Sequence, residues 1–343
     1  MKLLSIASGF PDHSYNQREC LEAMRNAEFW KQLKAGSQKL LEKILLADTG
    51  INERRFALTK LTEAWERDAE ELNNYYEKAA PIIAEQAVKK ALTKANLKIS
   101  EVDALFVCSC TGYLCPGLSS YVAERIGMRE TSYLQDLTGL GCGAAIPMLE
   151  AAAGYTALHP DARVITVAVE VCSAAFYIED DAGVLISTCI FGDGASAAIW
   201  SGDNNNEGSW HIKNFHSLHV PESREMIRFT NANGKLRNQL HKDVPKLAAD
   251  VVKRLYKKRD NRSSLAITHG GGRDVILALE ESLEINKLNY TREVMKKYGN
   301  LSSPSVMVAL ELFLEGSTDE NELWLCGFGA GFSAHSCELI RIK

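Results

Sequence analysis

Gly139-Leu140-Gly141-Cys142-Gly143-Ala144-Ala145 joins an apolar stretch at 132–137 to a helical run at 144–158, with Pro147 in the first turn, where proline is tolerated. A cysteine between glycines at such a junction has its sulfur at the positive end of a helix, among backbone N–H groups. That setting favours thiolate over thiol and lowers a cysteine pKa from about 8.5 to roughly 3.5–7.5. The same N–H groups suit the oxygen of an acyl group carried on the sulfur. A buried cysteine at a tight turn, where glycines let backbone and helix pack closely, fits this segment equally well.

Outward from this junction, the order of signals repeats. In the first half an apolar strand at 104–109 leads to Cys142, a small-residue helix and a strand at 164–169. In the second half a strand at 265–268 ends at His269 and leads to Tyr298-Gly299-Asn300, a helix at 305–314 and a strand at 323–327. Cys110 and Cys142 are 32 positions apart, His269 and Asn300 are 31 apart. This matched spacing predicts an internal duplication. Strands alternating with helices in each copy predict an α/β fold, with mainly parallel sheets layered between helices. The polar run 202–208 divides the chain into residues 1–201, carrying Cys142, and residues 209–343, carrying His269 and Asn300. If the copies pack about a pseudo-twofold axis, Cys142 and Asn300 occupy matching helix starts. Before the duplicated core, 15–47, 62–77 and 81–95 are helical by pattern.

With 343 residues, 46% of them hydrophobic, the chain holds ample core for one large two-layered unit or two domains. A net charge of −5 supplies no electrostatic reason for nucleic acid or an anionic membrane as partner. Nine cysteines, several in apolar segments, suit reduced thiols in a cytoplasm. Residues 3–7 form a first strand, too short for a signal peptide, and no run approaches a membrane span. Cys108-Ser109-Cys110 lacks a second pair at zinc spacing, so no metal is expected. His211, His216 and His219 fall in a strand of mixed phase, and exposed positions are expected for them.

Four motifs, Gly141-Cys142-Gly143, Phe191-Gly192-Asp193-Gly194-Ala195, His269-Gly270-Gly271-Gly272 and Tyr298-Gly299-Asn300-Leu301-Ser302-Ser303, come in one order. Together they resemble the type III polyketide synthases, the chalcone-synthase-like branch of the thiolase-fold condensing enzymes. The likeness extends to Gly327-Phe328-Gly329-Ala330-Gly331, similar to that family's glycine-rich loop. It implies a homodimeric cytoplasmic acyltransferase that condenses an acyl-CoA starter with malonyl-CoA by repeated decarboxylative Claisen condensation through an acyl-cysteine intermediate, followed by cyclisation. No cofactor is implied beyond coenzyme A thioesters serving as substrates.

The residue types fit this chemistry. Condensation needs a nucleophile to hold one acyl group and donors to stabilise an enolate on the other. Cys142 suits the first role. His269 suits stabilisation of its thiolate and, with Asn300, donation to the malonyl thioester oxygen. Taken alone, a histidine at a strand end is equally a structural group, and an asparagine before a helix is an N-cap. Asp193 and its glycines are expected to form a structural turn. The resemblance places Phe191 beside the nucleophile and Ser302 in the pocket lining.

Several positions depart from plant members of the family. Gly270 stands where many relatives have proline, as does Ala330. Cys115 replaces a methionine that reaches into the partner subunit's cavity. Aligning Glu170-Val171-Cys172-Ser173 puts Phe176 and Glu179 where two pocket threonines stand. Lys242-Asp243-Val244-Pro245 puts Asn238 where a second pocket phenylalanine stands. Lys39, Lys43, Arg54 and Arg55 are candidates for coenzyme A phosphates, and delivery by an acyl carrier protein stays open. The competing functions are a ketoacyl synthase III-like single condensation using such a carrier, and a non-catalytic partner subunit of a condensing enzyme. Thiolase-type chemistry needs a base on the donor side, and an asparagine at 300 is none.

Overall fold

The computed structural model describes residues 1–203, 208–260, 265–316 and 319–342, so 204–207 of the polar linker lie outside it. The first half runs β1 (Lys2–Gly9), β2 (Ser14–Asn16), α1 (Gln17–Asn26), α2 (Glu28–Gln32), α3 (Ala35–Leu46), β3 (Glu53–Arg55) and α4 (Ala69–Ala95). It continues through β4 (Ala104–Cys108), α5 (Leu118–Ile126), β5 (Tyr133–Leu137), α6 (Ala145–Leu158), β6 (Arg163–Glu170), α7 (Ala182–Ile190) and β7 (Gly194–Ser201). The second half comprises β8 (Trp210–His219), the hairpin β9 (Ile227–Ala232) and β10 (Lys235–Leu240), then α8 (Val244–Tyr256), β11 (Ala266–Thr268) and α9 (Arg273–Leu283). It closes with α10 (Asn289–Tyr298), α11 (Ser305–Glu315), β12 (Glu322–Gly329) and β13 (Ser333–Arg341).

Nine strands join in the order β11-β12-β13-β8-β1-β7-β6-β4-β5. Strands of residues 1–201 occupy one side and those of residues 209–343 the other. They meet where Lys2 stands opposite His211. Alternation along the strands separates two cores. Leu105, Val107, Ile165 and Val167 face α4, whereas Phe106, Val164, Ala168 and Trp200 face α6 and α11. The latter cluster also takes in Ile267, Leu323, Leu325 and Leu339 from the second half, so α6 and α11 form a central layer between the two groups of strands. Helices α8 and α9 cover the far side. Cys142 heads α6, and Asn300 precedes α11 by a short turn.

The α/β layering agrees with the sequence, but the pairing is mixed. Among the described residues β4–β5, β4–β6 and β11–β12 are parallel, while β1–β7, β1–β8, β6–β7, β8–β13 and β12–β13 are antiparallel. The physical reason is connection length. Three residues join β12 to β13, far too few for a parallel crossover.

Two helix boundaries also differ from the pattern. The run 15–47 is broken at Ala27 and Leu33, both extended. The breaks let Cys20, Leu21, Met24, Leu33, Leu41 and Leu45 converge on one cluster, which a single straight helix would spread around its circumference. Conversely, α4 starts at a capping box of Asp68 and Glu71 and runs unbroken through Pro81. An interior proline costs about 3 kcal/mol or more. Burial of Tyr76, Ile83, Val88 and five alanines offsets it, at roughly 1.5–3 kcal/mol for each large apolar side chain. His211 is buried rather than exposed, with its Nε2 2.8 Å from Ser209 Oγ, because it sits at the junction between the halves.

Candidate active site

Cys142 lies in a single 3-10 turn, Gly141–Gly143, ahead of α6. Its loop is pressed against the end of β12. A Cβ on Gly329 would stand 2.8 Å from Cys142 N and 2.9 Å from Gly143 N, and one on Gly143 would stand 3.2 Å from the Phe328 carbonyl carbon. Glycine is required at 329 for this backbone-on-backbone approach. The glycine-rich stretch near the C-terminus is therefore the wall behind the nucleophile, contributed by the other half of the chain.

Ser302 draws the other two candidates to the cysteine. Its Oγ donates to Cys142 Sγ at 3.1 Å, and its backbone N–H donates to Asn300 Oδ1 at 2.8 Å. Its main chain also contacts the His269 imidazole. Asn300 Nδ2 donates to Gly271 O at 2.8 Å, two residues beyond His269. Both bonds fix which end of the amide is nitrogen, and one Nδ2–H is left to donate. The helix-cap reading of Asn300 fails. It makes a parallel bridge to Phe191, and Pro304 occupies the N-cap position of α11. Taken alone at its strand end, His269 is equally a structural group. The structure leaves its buried Nδ1 without a hydrogen-bond partner, which is costly for a purely structural group.

A carboxyl group with no role assigned from the sequence holds this centre. Glu170, fully buried at the end of β6, accepts through Oε2 from Cys110 N, Thr111 N, Thr111 Oγ1 and Ser109 Oγ. Its Oε1 accepts from Ser303 Oγ at 2.5 Å and from Ser302 Oγ at 3.4 Å. One residue thus ties the β4 end to the Ser302–Ser303 turn across the two halves. The available signal was a charged residue closing an otherwise apolar strand.

Protonation differs from the expectation for a helix terminus. Apolar surroundings push the Cys142 thiol up to about 12, the Ser302 hydroxyl opposing and the Glu170 carboxylate adding to the rise. Burial likewise drives His269 down to about 4, opposed by its contact with the Ser302 main chain. Asp193, also fully buried, is raised to about 6 by burial. It accepts from Ala57 N, Ser173 N and Ser173 Oγ, consistent with the structural turn expected for it.

Two cavities flank the nucleophile. An apolar one of ≈ 410 Å³, partly open to solvent, is lined by Phe176, Phe191, Asn238 and Ser302. Four of the five expected pocket residues meet there. The fifth, Cys115, is exposed and outside the lining of both cavities. Glu179 is not in the lining either, and forms an ion pair with Arg237 at 2.6 Å. Asn238 is less free than its size suggests, since its Nδ2 is held 2.5 Å from Ser187 Oγ on α7. Phe229 and Leu236, from the β9–β10 hairpin, also line the cavity and were missed, because a hairpin distant in sequence carries no local mark of a pocket.

Of the four cations considered for phosphates, Lys39 and Lys43 are exposed on α3. Arg54 is fully buried and unsuitable. Its Nη1 donates to Thr188 O at 2.7 Å and Phe191 O at 2.9 Å, and its Nε to Gln17 Oε1. Arg55 donates to Pro11 O. Arg54 therefore positions Phe191. Arg54→Met strands two carbonyls, and each buried unsatisfied group costs about 1–3 kcal/mol. A loss of that order is expected in denaturant unfolding, and an unchanged midpoint would show that the arginine does not hold this turn.

A cysteine at a helix start, linked through Ser302 to an asparagine and a histidine from the other half of a layered α/β chain, fits a thiolase-fold condensing enzyme. Residues 9–258 match the family described as FAE1/Type III polyketide synthase-like protein, and residues 213–333 match the C-terminal domain of chalcone and stilbene synthases. The chain belongs to the type III polyketide synthase family, and is an acyltransferase of the condensing type. Among its relatives are phloroglucinol synthase of Pseudomonas fluorescens, 26% identical over 95% of each chain, and 1,3,6,8-tetrahydroxynaphthalene synthase of Streptomyces coelicolor, 27% identical over 94% of this chain and 88% of that one. The solved structure of the Streptomyces coelicolor enzyme shares the fold across the full length of both chains, with TM-score 0.86 at 24% identity.

Proposed function

We propose that this polyketide synthase loads an acyl-CoA starter onto Cys142 and extends it with malonyl-CoA, repeatedly and with final cyclisation. The convergence of Cys142, His269 and Asn300 on Ser302 carries this reading. In loading, Cys142 Sγ attacks the starter carbonyl, the carbon–sulfur bond to coenzyme A breaks, and the thiol proton leaves with the displaced thiolate. His269 stabilises the Cys142 thiolate as it forms. The malonyl thioester oxygen then receives the free Asn300 Nδ2–H and the imidazole N–H. Its carboxyl carbon leaves as CO₂, and the electron pair becomes an enolate held by those donors. The enolate carbon attacks the acyl–Cys142 carbonyl, and Cys142 departs as thiolate. No added base and no cofactor beyond the coenzyme A esters enters the scheme.

The setting proposed is a cytoplasmic homodimer, in which Cys115 faces the partner's cavity. Among the described residues no helix is long and apolar enough to cross a membrane. Purified protein given malonyl-CoA and a panel of acyl-CoAs should release CO₂ and form condensed products detectable by mass spectrometry. Absence of decarboxylation would favour a non-catalytic partner subunit instead. The same assay with acyl groups on a carrier protein decides which thioester delivers the starter.

Because His269 is held near 4 instead of its ordinary 6.5, the imidazole stays neutral down to mildly acidic pH. Decarboxylation kcat/KM should therefore run level through pH 6.5, since that ratio reports free-enzyme ionisations. An inflection near 6.5 would place His269 in a wetter site. A histidine held below its ordinary value favours folding above 6.5, and this contribution fades as pH falls toward 4.

Asn238 lines the apolar cavity, so the pocket is expected to take a starter larger than acetyl. Asn238→Phe should shift preference from long acyl-CoAs toward short ones in competition assays. A folded variant with unchanged preference would remove position 238 from starter selection.

A further inference from the structure

Six side chains in the wall of the ≈ 410 Å³ cavity carry oxygen or nitrogen: Thr111, Tyr177, Ser187, Thr188, Asn238 and Ser302. Five of them are engaged within the protein. Thr111 Oγ1 donates to Glu170 Oε2, Ser187 Oγ to Gly183 O and Thr188 Oγ1 to Val184 O. Asn238 Nδ2 donates to Ser187 Oγ, and Ser302 Oγ to Cys142 Sγ. Tyr177 is the sixth. The residue is 6% exposed, and its hydroxyl oxygen is buried with no hydrogen-bond partner among the described residues.

The charged groups around the phenol are committed elsewhere. Glu179 and Asp181 are both taken by Arg237, at 2.6 and 3.1 Å. Lys235 stands over the Tyr177 ring with its Nζ 5.3 Å from the centroid, and donates to Arg67 O at 3.0 Å. The cation fixes the face of the ring and leaves the hydroxyl unbonded. A buried hydroxyl without a partner is disfavoured, and folded chains keep few of them. Phenylalanine at this place would supply the same ring without that penalty. Because Tyr177 is part of the cavity wall and its oxygen is shut off from solvent, the acceptor within its reach is one brought in by whatever fills the cavity. A phenol donates one O–H, and a keto or hydroxyl oxygen accepts it.

We propose that the Tyr177 hydroxyl donates a hydrogen bond to an oxygen on the acyl chain in this cavity, so that the site prefers oxygen-bearing chains to plain alkyl chains of the same length. The proposal rests on the polyketide synthase reading above. Two kinds of oxygen meet this chemistry: a hydroxyl carried by the starter, and a keto group made by an earlier condensation.

The test compares the parent with Tyr177→Phe, which removes the oxygen and keeps the ring. Each is given equimolar octanoyl-CoA and hydroxyoctanoyl-CoA with malonyl-CoA, the hydroxyl being moved along the chain in successive assays. Products are counted by mass spectrometry. One neutral hydrogen bond is worth a factor of roughly three to ten. The parent should favour hydroxylated products by about that factor where the hydroxyl meets Tyr177, and Tyr177→Phe should abolish the preference. That ratio reports an oxygen carried by the starter. A keto group made by condensation is reported with octanoyl-CoA alone, as a fall of about the same factor in products of repeated condensation relative to those of a single one. Parental values of both ratios in Tyr177→Phe would overturn the proposal. A hydroxyl that bonds nothing in the protein should leave the melting midpoint of Tyr177→Phe at or above the parent's, and a clear drop would also overturn it. Affinities for octanoyl-, hydroxyoctanoyl- and 3-oxooctanoyl-CoA, measured by calorimetry in a Cys142→Ala background, read the same preference without turnover. A parent that condenses nothing while this preference persists would overturn the polyketide synthase reading and leave the hydrogen bond standing. Affinities indifferent both to the added oxygen and to Tyr177→Phe would overturn the hydrogen bond itself.

Discussion

Asn300→Ala should lower malonyl-CoA decarboxylation and condensation together, each by roughly 10²–10³-fold, the usual effect of removing one donor to a developing oxyanion. The amide is oriented before substrate arrives. Oδ1 is occupied by Ser302 N–H, and one Nδ2–H by Gly271 O, which leaves the second Nδ2–H to donate. The effect should fall on kcat more than on KM, because the charge on the thioester oxygen appears only as CO₂ departs. Removing the side chain also frees Gly271 O and Ser302 N, so a thermal melt must accompany the kinetics. A well-folded Asn300→Ala protein that condenses at the parental rate would reduce the residue to a structural tie.

Cys142→Ala should separate the two half-reactions. Condensation has no acyl carrier without the thiol and should disappear, while decarboxylation, which needs only the donors, should remain measurable. Incubation of the parent with an acyl-CoA should add the acyl mass to the peptide containing Cys142. Cys110 is the informative control. It shares the Ser302 hydroxyl with Cys142, but it follows the end of β4 and does not head a helix. Its sulfur should stay unacylated. Label on Cys110 with Cys142 unmodified would reverse the assignment.

Arg54 and Asn300 show why residue type and position alone mislead. An arginine beside another arginine in a polar segment has the look of a phosphate ligand, and an asparagine ahead of a helix has the look of a cap. Arg54 is instead consumed by the carbonyls of Thr188 and Phe191, more than 130 positions away, and Asn300 by Gly271. Each assignment turned on a partner that no local window contains. Asp193 shows the opposite case. Its turn chemistry is local, and the structure keeps it in that role, with the carboxyl raised toward 6 by burial. That shift favours folding below the ordinary carboxyl range, an advantage lost as pH rises through about 6.

The sequence by itself determined the α/β class, the ordered motifs of the family and the identity of the three candidate catalytic residues. These depend on glycine placement, apolar periodicity and matched spacing between strand and helix signals, all carried along the chain. Only the tertiary structure decided that burial raises the Cys142 thiol and lowers the His269 imidazole, that Glu170 ties the two halves together, and that the β9–β10 hairpin walls the pocket. Those properties arise from desolvation and from contacts between distant segments, and neither quantity exists until the chain has folded around the site.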